Sequence, residues 1–225
     1  MFRTELELVD EFKHLYAEEF LRNVEPRAVR RFVLLEEFDS HNGVADIVFA
    51  VYRPYVRRTK PRKTINTNWV GQLSQLQEKQ IISLDEYVAL YGVSNKTARK
   101  QLENFAQADF LKCLKKNHYQ ISKSYKPILE TVISAEAKLR DWQRALTQAY
   151  RYKRFSNFSF VLLPSDSAGR AIKNISLFQR YEIGLVTLGS KGIFIHCCPP
   201  RRDRLSSDSF LRVNEVAYSH LITTG

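Results

Sequence analysis

The chain has 225 residues, 44% of them hydrophobic and 26% charged, with 35 basic against 24 acidic side chains for a formal net charge of +11. That length can bury a core of its own and suits two small domains or one domain with an insertion. No run of ~18 uninterrupted apolar residues could span a membrane, and the cysteines, Cys113, Cys197 and Cys198, build no disulfide framework and fit a reducing, cytoplasmic compartment.

Residues 3–20, RTELELVDEFKHLYAEEF, carry Leu8, Phe12, Leu15 and Phe20 at helical spacing, with Thr4 and Glu7 in the capping-box pattern at the start. Such an amphipathic helix differs from the basic-then-apolar layout of a secretory signal. Two strand-like runs follow, FVLLEEFDS (32–40) and GVADIVFAVY (43–52), and the Asn42-Gly43 turn between them predicts a β-hairpin. Period two on the second strand sets Asp46, Val48 and Ala50 on one face and Ala45, Ile47, Phe49 and Val51 on the other. Asp46 is thus an acid inside an apolar strand, and burying a carboxylate requires a partner or a cation.

The next segment, RPYVRRTKPRK (53–63), holds six basic residues, no acid and two prolines, which predicts an irregular linker. NWVGQLSQLQEKQ (68–80) and SLDEYVALY (83–91) suit helices, the second capped by Ser83. Gly92-Val93-Ser94 then predicts a tight turn ending in an N-cap. NKTARKQLENFAQADF (95–110) places Ala98, Leu102 and Phe105 on one side of a helix and Asn95, Lys96, Arg99, Lys100 and Glu103 on the other. With a hairpin around Asn117-His118 in KCLKKNHYQIS (112–122), the segment predicts a winged helix-turn-helix over residues 68–126, after a basic linker over 53–67. The second helix of such a motif enters the major groove, so Asn95, Lys96, Arg99 and Lys100 are the candidate DNA contacts.

Charge distribution points the same way: residues 1–52 carry −5 (6 basic, 11 acidic), 53–126 carry +10 (15 basic, 5 acidic) and 127–225 carry +6 (14 basic, 8 acidic). Arg57, Arg58, Lys60, Arg62 and Lys63 of the linker are accordingly assigned to phosphates, whose neutralisation releases condensed counterions. No amphipathic basic helix or lipidation signal accompanies the linker, so DNA rather than a membrane is the expected partner.

LETVISAEAKL (129–139) reads as a third strand with Val132, Ser134, Glu136 and Lys138 on one face, and a helix opens after it. If the three strands form a meander, Asp46, Glu136 and Lys138 converge. An apolar strand, FSFVLLP (158–164), and two strands in GLVTLGSKGIFIHCC (184–198) follow, closing the sheet at its edge. His196-Cys197-Cys198 lacks the C-x-x-C or distant Cys/His pair that would complete a zinc site. FLRVNEVAYSHLI (210–222) reads as a terminal helix with no assignable role.

These elements resemble the PD-(D/E)xK nuclease superfamily over residues 1–52 and 127–200. Asp46 falls on its metal-binding aspartate, with Ala45 where the motif has proline, and Glu136-Ala137-Lys138 falls on its acid-x-lysine triplet. Gln148 and Tyr152 are similar to the Q-x-x-x-Y signature of the RecB-like branch. About 90 residues separate the aspartate from the triplet where a short turn is usual. The resemblance implies an α/β fold with a restriction-endonuclease-like core (helix, three-stranded meander, helix, strand), over 1–52 and 127–225, and an embedded winged-helix-like domain.

It also implies a Mg²⁺- or Mn²⁺-dependent deoxyribonuclease. Asp46, Glu136, Glu5 and the carbonyl of Ala137 would hold the ion, Lys138 would orient or help deprotonate the nucleophile, and Gln148 and Tyr152 would position the phosphate or bound water. The implied partners are DNA and either a second copy of the chain or companion proteins of a DNA-processing or defence system. A reading from another class is a DNA-binding regulator or assembly factor that keeps the fold without catalysis.

Overall fold

The computed structural model describes residues 2–28, 31–41, 43–56, 61–205 and 207–224. The chain divides into two compact units, Met1–Pro54 with Leu129–Phe210, and Tyr55–Ile128 with Leu211–Gly225. The first is a mixed α/β unit around a six-stranded sheet and the second carries a three-stranded sheet.

The first unit opens on α1 (Glu5–Glu11), whose N-cap Thr4 accepts from the Glu7 amide. The expected reciprocal bond is redirected: the Glu7 carboxylate accepts from the amide of Arg3. The helix does not run straight to residue 20. A π-turn at Phe12–Tyr16 separates α1 from α2 (Ala17–Val24). The wider turn shifts the phase of the apolar stripe, so Leu8, Phe12 and Phe20 are buried while Leu15 is 68% exposed.

β1 (Phe32–Asp39) and β2 (Val44–Tyr52) form the expected antiparallel hairpin, although Asn42 of its turn lies outside the described residues. β2 pairs antiparallel with β6 (Leu129–Ala137), completing the meander. β6 then runs parallel to β7 (Phe158–Pro164) and β7 parallel to β8 (Gly184–Gly189), while β9 (Gly192–Cys197) returns antiparallel on β8. The sheet order is β1-β2-β6-β7-β8-β9. Helices fill both parallel crossovers: α6 (Trp142–Tyr152), then α7 (Gly169–Lys173) and α8 (Ile175–Tyr181).

Strand alternation divides the core between the two faces. Ile47, Phe49, Ile133, Ala135 and Phe160 pack with α1 and α2, whereas Val161, Leu163 and Leu185 pack with α6 to α8. Asp46 and Glu136, by the same alternation, belong to the face covered by α6.

The second unit runs α3 (Val70–Gln75), β3 (Ile81–Ser83), α4 (Leu84–Tyr91), α5 (Asn95–Gln107), β4 (Leu111–Lys115) and β5 (His118–Ile121), with sheet order β3-β5-β4. The expected helix over 68–80 is shorter, because Leu76 leaves α3 in an extended conformation (φ −78, ψ 131) and buries its side chain. Ser83 and Glu86 form a full capping box, Gly92 ends α4 in the left-handed region (φ 61, ψ 30), and Ser94 caps α5. Asn117 turns the β4–β5 hairpin at φ 62.

The C-terminal helix α9 (Ser207–Thr224) corrects the sequence-based division, which carried the first unit through residue 225. From Leu211 onward it belongs to the second unit, where Leu211 joins the apolar cluster of Leu73, Leu102 and Phe105. Its anchor is Glu215, 1% exposed, which takes two hydrogen bonds from the Arg62 guanidinium (2.8 and 2.6 Å), one from the amide of Ile65 (2.6 Å) and one from the Tyr125 hydroxyl (3.0 Å). The guanidinium also lies 4.1 Å from the centroid of the Tyr218 ring. Arg62, expected on a phosphate, is therefore committed to a buried ion pair, because an unpaired internal carboxylate would be costly.

Candidate active site

The antiparallel register of β2 and β6 pairs Ile47 with Ala135. One residue further, the same register sets Asp46 opposite Glu136, at the 4.5–5.5 Å Cα separation, roughly, of facing antiparallel residues. The Asp46 carboxylate accepts from the amide of Ala137 at 2.7 Å. Lys138, just past the strand end, reaches Glu136 Oε1 (2.9 Å), Glu5 Oε2 (3.0 Å) and the Ala137 carbonyl (2.9 Å). Tyr152, on the buried face of α6, bonds Glu136 Oε2 at 2.6 Å and the Val44 carbonyl. Asp46, Glu136, Lys138, Glu5 and Tyr152 are thus connected through one network although Asp46 and Ala137 stand 91 positions apart.

Burial is what gives the network its electrostatic character. It pushes the Asp46 carboxyl up from its ordinary value, against the Ala137 amide and the Lys138 charge. Glu136, only 1% exposed, is pushed up by burial and by the neighbouring Asp46 charge. Burial alone would lower the Lys138 ammonium, but its bonds to Glu136 and Glu5 outweigh that and hold it above its ordinary value. Lys138 is therefore a firm cation at neutral pH.

The Tyr152 hydroxyl has one proton and two acceptors around it, Val44 O and Glu136 Oε2. The hydroxyl proton is therefore shared between these two oxygens, while Glu136 Oε1 is left to Lys138. Gly43, at φ +139, brings the turn against the same ring, where an added Cβ would lie 3.4 Å from Tyr152 Cε1.

Gln148 lies one helical turn before Tyr152 on the same side of α6. Its Oε1 is buried and accepts no hydrogen bond among the described residues. Tyr152 itself is fully buried, so it acts on Glu136 rather than touching a phosphate. Glu37 is a participant that the sequence reading missed. It is exposed on β1, falls opposite Asp46 in the β1–β2 register, adopts φ 46 and adds its charge to the field that raises Asp46. Only its register position opposite Asp46 marks it out among the acids of β1, Glu36, Glu37 and Asp39.

The donors of the network are carboxylate oxygens and a main-chain carbonyl, the hard set that Mg²⁺ or Mn²⁺ takes and that zinc does not favour. Among the described residues no group of three His, Cys, Asp or Glu side chains forms a metal cage. Asp46, Glu136, Glu5 and the Ala137 carbonyl would be the protein's share, with water filling the rest, as Mg²⁺ commonly requires. His196 instead contacts Thr187 Oγ1 at 3.0 Å.

On the second unit, Asn95, Lys96, Arg99 and Lys100 are all exposed along α5, while Ala98, Gln101, Leu102 and Phe105 are buried. Lys112, Lys115 and Lys116 of the β4–β5 hairpin are exposed as well. Lys63 is exposed, and Arg57, Arg58 and Lys60 lie outside the described residues. Among the described residues no helix is long and apolar enough to cross a membrane. No family profile, curated protein or solved structure matches the chain.

Proposed function

We propose that the first unit is a restriction-endonuclease-like core of the PD-(D/E)xK type that hydrolyses DNA phosphodiester bonds with Mg²⁺ or Mn²⁺, and that the second unit is a winged helix that engages DNA. The observation carrying this reading is the network of Asp46, Glu136 and Lys138, tied to α1 through Glu5 and to α6 through Tyr152. Asp46, Glu136, Glu5 and the Ala137 carbonyl would hold the divalent ion, which when bound would supply a water of lowered pKa and offset charge on the transition state. Asp46 and Glu136 hold the charge that attracts it. Lys138, fixed as an ammonium, orients the nucleophile and steadies the phosphoryl oxygens rather than taking a proton. Tyr152 fixes the Glu136 carboxyl, and Gln148 offers its free oxygen to a bound water.

A second reading, a DNA-binding regulator or assembly factor without catalysis, is favoured by one observation. The Lys138 ammonium already bonds three oxygens assigned to the ion, those of Glu5, Glu136 and Ala137. Incubating the purified chain with linear, circular, single-stranded and branched DNA, with and without Mg²⁺ or Mn²⁺, separates the two. The nuclease reading expects metal-dependent products that vanish in Glu136→Ala and Lys138→Ala while DNA affinity persists. Binding without cleavage under every condition selects the regulator, and cleavage that survives both substitutions removes this site from consideration.

A further inference from the structure

The two edges of the six-stranded sheet are built differently. β1 carries Glu36, Glu37 and Asp39, and its backbone turns into the left-handed region at Glu37 (φ 46). Charge and a local twist are the usual means of keeping an edge strand from pairing. β9, at the other end of the sheet order, has no acid, lysine, arginine or proline over Gly192–Cys197. Among the described residues its backbone bonds only β8, so its outer side is a row of unpaired amides and carbonyls.

The register fixes which groups those are. Gly189 and Gly192 face each other across the two-residue turn Ser190-Lys191, where the turn bond makes them a hydrogen-bonded pair. Antiparallel pairs alternate, so Gly192 and Phe194 bond inward to β8, while Ile193 and Ile195 direct amide and carbonyl outward. The register shift between Leu185 and Val186 leaves His196 as an extra residue on β9 and ends the regular stretch there. Phe194 stands at the centre of that stretch. Its ring is 63% exposed and held edge-on by His196, with centroids 4.7 Å apart, and His196 in turn contacts Thr187 Oγ1. The side chains of Ile193 and Ile195 pack the other way, against the apolar cluster under α1 and α2.

Outward-facing residues on either side of a central one are complementary to their own copy across a two-fold axis. With Phe194 opposite Phe194 of the second copy, Ile193 meets Ile195 in both directions, each giving and taking a hydrogen bond. The two exposed rings then face each other at the closer, non-hydrogen-bonded spacing of roughly 4.5 Å between Cα atoms. Lys191 stands opposite Cys197 of the second copy, so the seam brings no like charges together although each chain carries a net charge of +11. We propose that β9 is a dimerisation edge, pairing antiparallel with β9 of a second copy about Phe194. A seam of one short strand belongs with the small, transient interfaces, below about 1,200 Å², so the dimer is expected to form at about 1–100 µM. It does not depend on catalysis at Asp46 and Glu136.

The test is sedimentation velocity of the full chain from about 1 to 300 µM, with amide exchange at Ile193 and Ile195 read by NMR over the same range. The dimer fraction should rise with concentration while exchange slows at Ile193 and Ile195 and stays unchanged at Gly192 and Phe194. Phe194→Lys and Phe194→Glu, at an exposed position and checked for folding by their melting curves, should each weaken association roughly tenfold or more. An equimolar mixture of the two variants should regain it, because only the two-fold register sets position 194 against itself. A chain that is monomeric throughout the range, a dimer that survives both substitutions, or a mixture that stays monomeric overturns the proposal. So does a dimeric sample in which exchange at Ile193 and Ile195 is independent of concentration, which would move the contact to another surface.

Discussion

Substituting Glu215→Ala removes the centre of the second unit's buried polar network. The loss strands a guanidinium whose side chain is 12% exposed, and it orphans the amide of Ile65 and the hydroxyl of Tyr125. Breaking a buried pair by deleting one partner costs about 3–5 kcal/mol, a large part of the ~5–15 kcal/mol that holds a typical domain. The second unit should therefore unfold at far lower denaturant while the six-stranded unit persists. The two tryptophans allow the units to be watched separately, since Trp69 lies in the second and Trp142 in the first. In a Trp142→Phe background, urea unfolding followed by Trp69 emission reports the second unit. Glu215→Gln retains the shape and hydrogen-bonding capacity and should lose less, about 1.5–3 kcal/mol. A double-mutant cycle with Arg62→Ala decides the cause: coupled losses should fall short of additivity by more than ~0.5 kcal/mol. Additive losses, or a Glu215→Ala cost below about 1 kcal/mol, would refute the view that this pair holds α9 to its unit.

The raised carboxyls of Asp46 and Glu136 make the folded chain hold protons at pH values where the unfolded chain has lost them, so stability falls as pH rises from the ordinary carboxylate range through the raised values. Glu136→Gln should accordingly melt higher than the parent at neutral pH, with the gap closing on acidification toward about pH 4, as measured by calorimetry of both proteins across pH. Mg²⁺ or Mn²⁺ at a hundred times its dissociation constant should stabilise the first unit by about 2.7 kcal/mol. Asp46→Asn should abolish that gain, as read by calorimetry with and without the ion. Tyr152→Phe leaves Glu136 Oε2 without its hydroxyl partner and should lower metal affinity or cleavage rate about 10- to 100-fold, read from cleavage rates over a metal series.

Elements whose signals lie within a few residues are legible by local rules. Ser83 with Glu86, Gly92 and Ser94 define the α4–α5 turn through capping and backbone chirality alone. Period two separates Asp46 from Ile47 and Phe49, because the strand pleat sends successive side chains to opposite faces. What was not legible depended on partners distant in sequence. The π-turn that exposes Leu15 is a phase shift with no residue-level marker. Arg62 looked like one more linker cation, and only its meeting with Glu215, 153 residues away, makes it structural. Glu37 acquires its significance from a register position opposite Asp46, which the composition of β1 does not reveal.

The long separation between Asp46 and Glu136 has a simple physical basis in the β2–β6 pair. At its far end Tyr52 pairs with Leu129, so the inserted chain leaves and re-enters between adjacent residues of neighbouring strands, where a short turn would otherwise stand. Asp46 lies six residues back along β2, about 20 Å away at ~3.3 Å per residue. The insertion thus leaves the register that sets Asp46 opposite Glu136 intact, because the pairing from Ile47–Ala135 to Val51–Thr131 holds it on the intervening strand. The second unit is nevertheless not self-contained in residues 55–128, since α9 returns from the end of the chain to supply Leu211 to its core and Glu215 to Arg62. Excising 55–128 alone would leave Leu211 of α9 without the apolar cluster it joins, and expressing 55–128 alone would leave Arg62 buried without its carboxylate. A separable second unit therefore requires 55–128 joined to α9, and that fused piece, rather than either fragment, is the smallest one expected to fold.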